Sequence, residues 1–135
     1  MAADRVADHH VVRLDLTGRT ALVTGGGSGI GRAACLAFAR HGAAVVAVDR
    51  DGAAAERTVE TIRAAGGEAL AVRADVSRSA EVRAYVRAAV EEFGRIDCFF
   101  NNAGIGGTVA PTAEYDEAEF DAVMGVNVKG AFLGL

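Results

Sequence analysis

Short apolar runs alternate with amphipathic stretches along most of this chain. The apolar runs fall at 20–24, 44–48, 69–74 and 96–100, and continuous runs of this length are typical of strands buried on both faces. Between them, apolar residues recur at helical spacing, which predicts helices at 30–41, 53–65 and 77–93, and a last helix from Asp116 onward. This alternation predicts an α/β fold with a doubly wound parallel sheet.

Glycines and serines delimit the predicted helices. Gly42 follows the first helix at a position that favours a left-handed residue, and Gly66 with Gly67 ends the second. Ser77 or Ser79 is predicted to cap the third helix through its hydroxyl group. The predicted buried faces consist of Ala55, Val59, Ile62 and Ala65 in the second helix and Val82, Val86 and Val90 in the third.

The residues with distinctive chemistry come directly after the predicted strands. They are the glycine-rich segment from Gly25 to Gly31, Asp49, Asp75 and Asn102. In a parallel sheet the carboxyl ends of the strands share one edge, and ligands bind at that edge. We therefore expect these residues to form a single site.

The segment from Thr24 to Gly31 reads Thr-Gly-Gly-Gly-Ser-Gly-Ile-Gly and joins the first strand to the first helix. Five glycines in seven residues allow positive φ angles and a close approach of a ligand to the backbone. The free N–H groups and the positive end of the helix then attract an anion. The segment therefore indicates a phosphate-binding loop rather than a turn without a binding function.

Asp49 ends the second predicted strand, where an acidic residue hydrogen-bonds the adenosine ribose of a dinucleotide. A carboxylate there repels a 2′-phosphate, which favours NAD over NADP. Arg50 could instead receive that phosphate, whereas Ser28 offers it no cation. The alternative role for Asp49 is to cap the second helix, a task for which Asp51 is at least as well placed.

Two further strand ends carry weaker signals. Asp75 and Val76 offer a carboxylate and an apolar side chain to an adenine, although an Asp after a strand is often only a turn or cap residue. The segment from Asn102 to Gly104 equally suits an ordinary turn. Their value lies in their combination with the glycine loop and Asp49.

Size and charge narrow the class of protein. With 135 residues, 51% of them hydrophobic, the chain has room for one domain with a core. A net charge of −4 with scattered arginines argues against nucleic acid as a partner. Because no apolar run approaches the roughly 20 residues that span a bilayer, we expect no membrane partner. Residues 1–15 are interpreted as a loose arm without a secretory signal, and 16–135 as part of one domain.

The two cysteines, Cys35 and Cys98, lie in apolar segments and make no metal-binding spacing. Free cysteines in such segments behave as small buried hydrophobic residues. The adjacent His9 and His10 are interpreted as solvated. We therefore expect no metal site and a reduced, cytoplasmic protein.

Together these motifs resemble those of the short-chain dehydrogenase/reductase family, NAD(P)-dependent oxidoreductases with a Rossmann-type fold. The match covers essentially everything from Leu16 onward. It rests on five segments in the family's order and spacing, namely Thr24-Gly25-x-x-x-Gly29-x-Gly31, Asp49, Asp75-Val76, Asn101-Asn102-Ala103-Gly104 and Asn127-Val128-Lys129-Gly130.

The resemblance implies a role for each matched position. The residues around the pyrophosphate and adenosine would be Gly25, Ser28, Gly29, Ile30 and Gly31. Asp49, with Arg50 beside it, would hold the ribose, and Asp75 and Val76 would meet the adenine. The residues that support the fourth strand and lie beside the nicotinamide-side ribose would be Asn102, Ala103 and Gly104. Asn127 would belong to the family's Asn-Ser-Tyr-Lys catalytic group and hold a water of the proton relay.

The family's chemistry also needs a tyrosine that exchanges a proton with the substrate oxygen, and a lysine four residues later that lowers the tyrosine pKa. Tyr85 is followed at that distance by Ala89 and Tyr115 by Glu119, so these residues hold no Tyr-x-x-x-Lys motif. The last residues resemble the middle of a helix in the family pattern. We therefore expect the N-terminal half of a longer enzyme, four strands long, truncated in the helix after the fourth strand and inactive by itself.

For the complete protein the resemblance implies hydride transfer between a secondary alcohol or its ketone and a nicotinamide cofactor. The alternative is a non-catalytic dinucleotide-binding or regulatory module. The sequence beyond Leu135 separates the two, because a serine followed by Tyr-x-x-x-Lys indicates the enzyme. The resemblance also implies a homo-oligomer, either a dimer or a tetramer.

Overall fold

A computed structural model describes residues 14–135 of the chain. The predicted arm at 1–15 therefore lies almost entirely outside the described residues. His9 and His10 lie outside them as well.

The described residues form four strands and five α-helices in near-regular alternation. In chain order they are β1 (Thr20–Thr24), α1 (Gly29–Arg40), β2 (Ala44–Asp49), α2 (Gly52–Ala64), β3 (Ala69–Arg73), α3 (Ser79–Phe93), β4 (Cys98–Phe100), α4 (Glu117–Met124) and α5 (Gly130–Gly134). A 3₁₀ turn covers Thr112–Glu114, and a π-helical segment, Gly125–Lys129, joins α4 to α5. The predicted elements all exist, with boundaries within about two residues.

The four strands form one parallel sheet in the order β3-β2-β1-β4. Successive residues of each strand face opposite sides, so Val23 and Val45 pack under α1 and α2. On the other side Leu22 and Val46 pack under α3. Helices thus cover both faces, which confirms the predicted α/β class with a doubly wound parallel sheet.

The predicted cap of α3 is wrong. The helix begins after Arg78, whose side chain makes no capping hydrogen bond, and Ser79 is already its first helical residue. Ser77 instead turns toward the strand end, where its backbone N–H and its hydroxyl both donate to Oδ1 of Asp75. Glu81 reaches back from the first turn and accepts from the Asp75 N–H at 2.6 Å. The Ser77 hydroxyl therefore binds the carboxylate of Asp75 instead of capping α3.

The predicted buried face of α3 is also partly wrong. Val82 is buried, but Val86 and Val90 are 38% and 45% exposed, and Tyr85 and Ala89 are fully buried instead. The physical reason is the pitch of the helix, since a strict four-residue step drifts by about 40° per repeat around the axis. In α2, Ala55, Val59 and Ile62 are buried as predicted, whereas Ala65 lies past the helix end and is exposed.

At the opposite end of the sheet, the Asp97 carboxylate links the starts of β1 and β4. Asp97 accepts hydrogen bonds from Arg95, from Arg19 and from the backbone N–H of Thr20. The Arg95 hydrogen bond, followed by the one from Thr20, lowers the pKa of Asp97 to about 2. The Asp97 N–H also donates to the Thr20 carbonyl at 2.9 Å, so this residue sets the register of β4 against β1. β4 proper then spans only three residues, shorter than the predicted run.

Candidate functional site

One cleft opens at the carboxyl end of the sheet, and it gathers most of the predicted site residues. The predicted residues that line it are Gly25, Ser28, Gly29, Ile30, Asp49, Arg50, Asp75, Val76, Asn102, Ala103 and Gly104. Four residues that sequence reasoning did not single out line it too, namely Val48, Ala74, Ile105 and Val126. Gly31 lies behind the loop and is buried. The sequence prediction that four strand ends form one site is consistent with this geometry.

The loop requires glycine at some positions for its backbone conformation and at others because a side chain has no room. Gly25 and Gly29 have φ angles of +68° and +51°, a region that side-chain-bearing residues rarely adopt. Gly31 serves a different need, because a Cβ there would overlap the Gly25 carbonyl oxygen and lie 2.6 Å from its carbon. The start of α1 is thereby pressed against the end of β1.

The first turn of α1 is suited to an anion. Its N-cap residue, Ser28, is extended and makes no side-chain capping hydrogen bond, and the first turn contains no acidic residue. The first N–H groups of a helix have no partner within the helix, and its dipole is positive at this end. Both features favour a phosphate group in front of Gly29 and Ile30.

Asp49 does not cap α2. Asp51 does, since its carboxylate accepts from the Ala54 N–H at 3.0 Å. The Asp49 carboxylate instead accepts from two loop N–H groups, Gly27 N at 2.9 Å through Oδ2 and Asp51 N at 2.9 Å through Oδ1. Each oxygen keeps a further lone pair for a ligand in the cleft. Gly27 is thus a site residue that sequence reasoning missed, and its only signal was its place within the glycine cluster.

Asp75 is held as an ionised group at the end of β3. The hydrogen bond from the Ser77 side chain lowers its pKa most, and the positive charges of Arg50 and Arg78 add to the effect. Val76 beside it is only 7% exposed, because Gly130 packs on its side chain. Asp75 therefore offers a carboxylate to the cleft, whereas Val76 offers little accessible surface.

Thr24 joins the ends of β1 and β4. Its hydroxyl oxygen accepts from the N–H groups of Asn102 and Ala103, both at 3.0 Å, and its carbonyl accepts from Asn102 Nδ2 at 3.1 Å. Thr24 is fully buried. The turn after β4 is thereby fixed beside the glycine loop, with the Asn102 amide bonded to the end of β1.

Asn127 lies in the π-helical segment and binds the backbone of the loop after β4. Its Oδ1 accepts from the Ile105 N–H at 2.8 Å, and its Nδ2 donates to the Ile105 carbonyl at 2.9 Å. Gly104 lies alongside, where a Cβ would be 3.3 Å from Asn127 Oδ1. The side chain thus braces this loop with both of its polar groups, a geometry that the sequence prediction of a water-holding side chain did not include.

The two cysteines differ in burial. Cys35 is fully buried among core residues, and this burial raises the pKa of its thiol to about 12. Cys98 is half-buried in β4. Within residues 14–135 no cluster of three histidine, cysteine or acidic side chains could hold a metal ion. Over the same residues, none of the helices combines the length and apolar character of a membrane span.

Comparison with known proteins places this geometry in a family. Residues 19–135 match the model of the short chain dehydrogenase family. Levodione reductase of Leifsonia aquatica is 49% identical over 121 residues, which make up 88% of this chain and 45% of that protein. The chain spans about half the length of the curated relatives it matches.

Two solved structures with nucleotides show similarity at the level of coordinates. The crystal structure of a 3-ketoacyl-(acyl-carrier-protein) reductase from Brucella melitensis complexed with NADH has a TM-score of 0.84 and 48% identity, over 89% of this chain and 48% of that one. A metagenomic short-chain oxidoreductase in complex with NADP has a TM-score of 0.84 and 38% identity, over 89% of this chain and 54% of that one. Related proteins of this fold therefore bind either cofactor.

Proposed function

Because the chain belongs to the short-chain dehydrogenase family, we propose that it forms the cofactor-binding part of an NAD(P)-dependent oxidoreductase. The proposed reaction is hydride transfer between a secondary alcohol or its ketone and nicotinamide. The observation that carries the proposal is the cleft itself, which brings the glycine loop, Asp49, Asp75 and the turn after β4 to one edge of the sheet. Relatives that bind NADH or NADP support it.

The described residues fit a dinucleotide. The uncapped start of α1 would receive the pyrophosphate, and the missing Cβ at Gly31 keeps this loop close enough to the strand for that approach. Asp49 would accept hydrogen bonds from the ribose hydroxyls, and Asp75 would meet the adenine. Ala103 and Gly104 would border the nicotinamide-side ribose. When bound, the nicotinamide supplies the hydride acceptor or donor.

The proton chemistry of the reaction requires residues beyond those of this cleft. Tyr115 and Tyr85 each lack a lysine four residues later, and Tyr85 is fully buried in the core. We propose that Asn127 acts by positioning the loop after β4, through its paired hydrogen bonds to Ile105. A tyrosine and lysine from outside these residues would then supply the proton transfer in the complete protein.

The activity is tested with the complete gene product and a panel of secondary alcohols. We expect oxidation that requires the nicotinamide cofactor and that is followed by the absorbance of its reduced form. A protein that binds NADH but reduces or oxidises nothing in the panel, and whose full sequence lacks Tyr-x-x-x-Lys, would support the alternative of a non-catalytic dinucleotide-binding module. The substrate within this class is then identified by comparing kcat/KM values across the panel.

We further propose that NAD is preferred over NADP, with Asp49 as the discriminating residue. Its carboxylate would bind the ribose hydroxyls and repel a 2′-phosphate, while Ser28 supplies no positive charge in compensation. We expect the Asp49→Ala variant to bind NADH about tenfold more weakly and NADPH at least as well as before, since a hydrogen bond to a charged group is lost only with NADH. Fluorescence titration with both reduced cofactors measures the change.

A matched control for that titration is Asp51→Ala. Asp51 lies two residues after Asp49, and the Asp51→Ala variant also removes one carboxylate. The Asp51 side chain, however, caps α2 by accepting from the Ala54 N–H. We expect this variant to lower stability and leave the ratio of the two affinities unchanged. Equal affinities for NADH and NADPH in the unmodified protein would show that the assignment of Asp49 is wrong.

The remaining expectations from the resemblance stay predictions. A homo-oligomer, either a dimer or a tetramer, rests on the resemblance alone. A cytoplasmic location rests on the reduced cysteines, Cys35 and Cys98.

A further inference from the structure

The orientation of the Asp49 carboxylate depends on a backbone group of the glycine loop. Oδ2 accepts from Gly27 N at 2.9 Å, while Oδ1 accepts from Asp51 N at the same distance. The Asp51 bond links residues two apart, as an ordinary turn does. The Gly27 bond crosses 22 positions and ties the end of β2 to the loop after β1.

Gly27 is a glycine for reasons of space and not of conformation. Its φ angle is outside the left-handed region that Gly25 and Gly29 occupy. A Cβ on Gly27 would lie 2.9 Å from Asp49 Oδ2 and 2.7 Å from the Ala54 methyl group. Any larger residue would therefore push against the very carboxylate to which its own N–H donates.

The backbone that carries this N–H is itself firmly held. The preceding residue, Gly26, donates its N–H to the Val48 carbonyl at 3.0 Å and accepts at its own carbonyl from the hydroxyl of Thr58 at 2.9 Å. Thr58 is fully buried in α2. The loop is thus anchored to β2 and to α2 one residue away from Gly27, which gives its N–H a fixed direction.

We propose that Gly27 is a positioning residue for the choice of cofactor, acting through Asp49. This rests on the proposed role of Asp49 at the ribose. With Oδ2 held by Gly27, the carboxylate cannot swing away from the cleft, so it presents its remaining lone pairs to two ribose hydroxyls and its charge to a 2′-phosphate. Without that bond, the carboxylate can turn aside, while the positive charge of Arg50, which lines the same cleft, remains available to a 2′-phosphate.

The test is the Gly27→Ala variant, titrated with NADH and NADPH in the complete protein. We expect the affinity for NADH to fall about tenfold and that for NADPH to change less than about threefold, because the lost hydrogen bond to a charged group bears on the ribose end alone. The ratio of the two affinities therefore moves toward NADPH. A circular dichroism melt checks that the variant is folded.

Two further variants separate this role from simple damage to the loop. In an Asp49→Ala background, Gly27→Ala should no longer change the affinity ratio, since the group through which it acts is gone. The double variant Gly27→Ala/Ala54→Gly removes the clash with the Ala54 methyl and keeps the one with the carboxylate. It should show the altered ratio even where Gly27→Ala alone folds poorly.

The outcomes distinguish this inference from the function on which it rests. If Asp49→Ala shifts the affinity ratio but the Gly27 variants weaken both cofactors equally, Gly27 is only a structural residue of the loop and the inference is overturned. A shift with Gly27→Ala that persists in the Asp49→Ala background also overturns it. If Asp49→Ala leaves the ratio unchanged, the proposed role of Asp49 is the part that fails.

Discussion

A Gly31→Ala protein should lose affinity for NADH by about a hundredfold, because the N–H groups of the proposed phosphate-binding loop would move together. The added methyl would overlap the Gly25 carbonyl oxygen and lie 2.8 Å from Asn102 Nδ2. Both neighbours are held in place, since Gly25 follows directly on the buried β1 and Asn102 is hydrogen-bonded to Thr24. The start of α1 must therefore move away from the strand.

The same displacement should lower the free energy of unfolding by roughly 1–3 kcal/mol, as overpacking of a close contact does. Urea unfolding measures that loss, and fluorescence titration with NADH measures the binding. The matched control is Gly125→Ala, since Gly125 has a helical backbone and a Cβ there would meet nothing closer than Ser77 Cβ at 3.8 Å. If both variants bind NADH as the unmodified protein does, the glycine loop is not the phosphate site.

Replacing Thr24 by valine should destabilise the protein by about 2–4 kcal/mol, because two N–H groups lose the acceptor they share inside the molecule. The hydroxyl oxygen of Thr24 is that acceptor, at 3.0 Å from both Asn102 N and Ala103 N. Valine matches the shape of threonine but has no acceptor at this fully buried position, so the effect reports mainly the lost hydrogen bonds. Urea unfolding at constant pH measures the change.

The Thr24→Ser variant is the control, since it keeps the hydroxyl and loses only a methyl group. We expect it to recover most of the stability that Thr24→Val loses. Hydrogen exchange should show faster opening at Asn102 and Ala103 in the valine variant and native-like protection in the serine variant. Equal losses in the two variants would mean that packing of the methyl group, and not the shared acceptor, holds the turn after β4.

Several features of the fold could be predicted because they depend on local sequence alone. The run from Ala44 to Asp49 is apolar at every position before the aspartate, so it suits only a strand with helices on both sides. Gly42, Gly66 and Gly94 end helices or follow them with φ angles of +92°, +88° and +78°, as turn chemistry requires. Since crossovers between parallel strands are right-handed, these elements predict a doubly wound sheet, whereas the strand order β3-β2-β1-β4 comes from the structure.

The errors arose where side chains had a choice of partner. The hydroxyl of Ser77 could cap α3 or bind Asp75, and the strand-end carboxylate takes it. Val86 and Val90 are as hydrophobic as Val82, yet the helix can turn only one face to the sheet, and the larger Tyr85 fills that face. The π-helical segment from Gly125 to Lys129 left no signal in the spacing, because it depends on contacts of the whole segment.

The sequence by itself determined the helices and strands, their succession along the chain, and most of the residues that gather at one edge of the sheet. The periodicity of apolar residues and the conformational preference of glycine depend on a few neighbouring residues, so both can be recognised in the sequence. Only the tertiary structure decided how these residues serve one another: that Asp51 and not Asp49 caps α2, that Gly27 holds the Asp49 carboxylate, and that Asn127 braces Ile105. The Gly27–Asp49 and Asn127–Ile105 contacts each join positions 22 residues apart, so those polar groups meet only when packing has brought them together, and the Gly27 contact leaves the cap of α2 to Asp51.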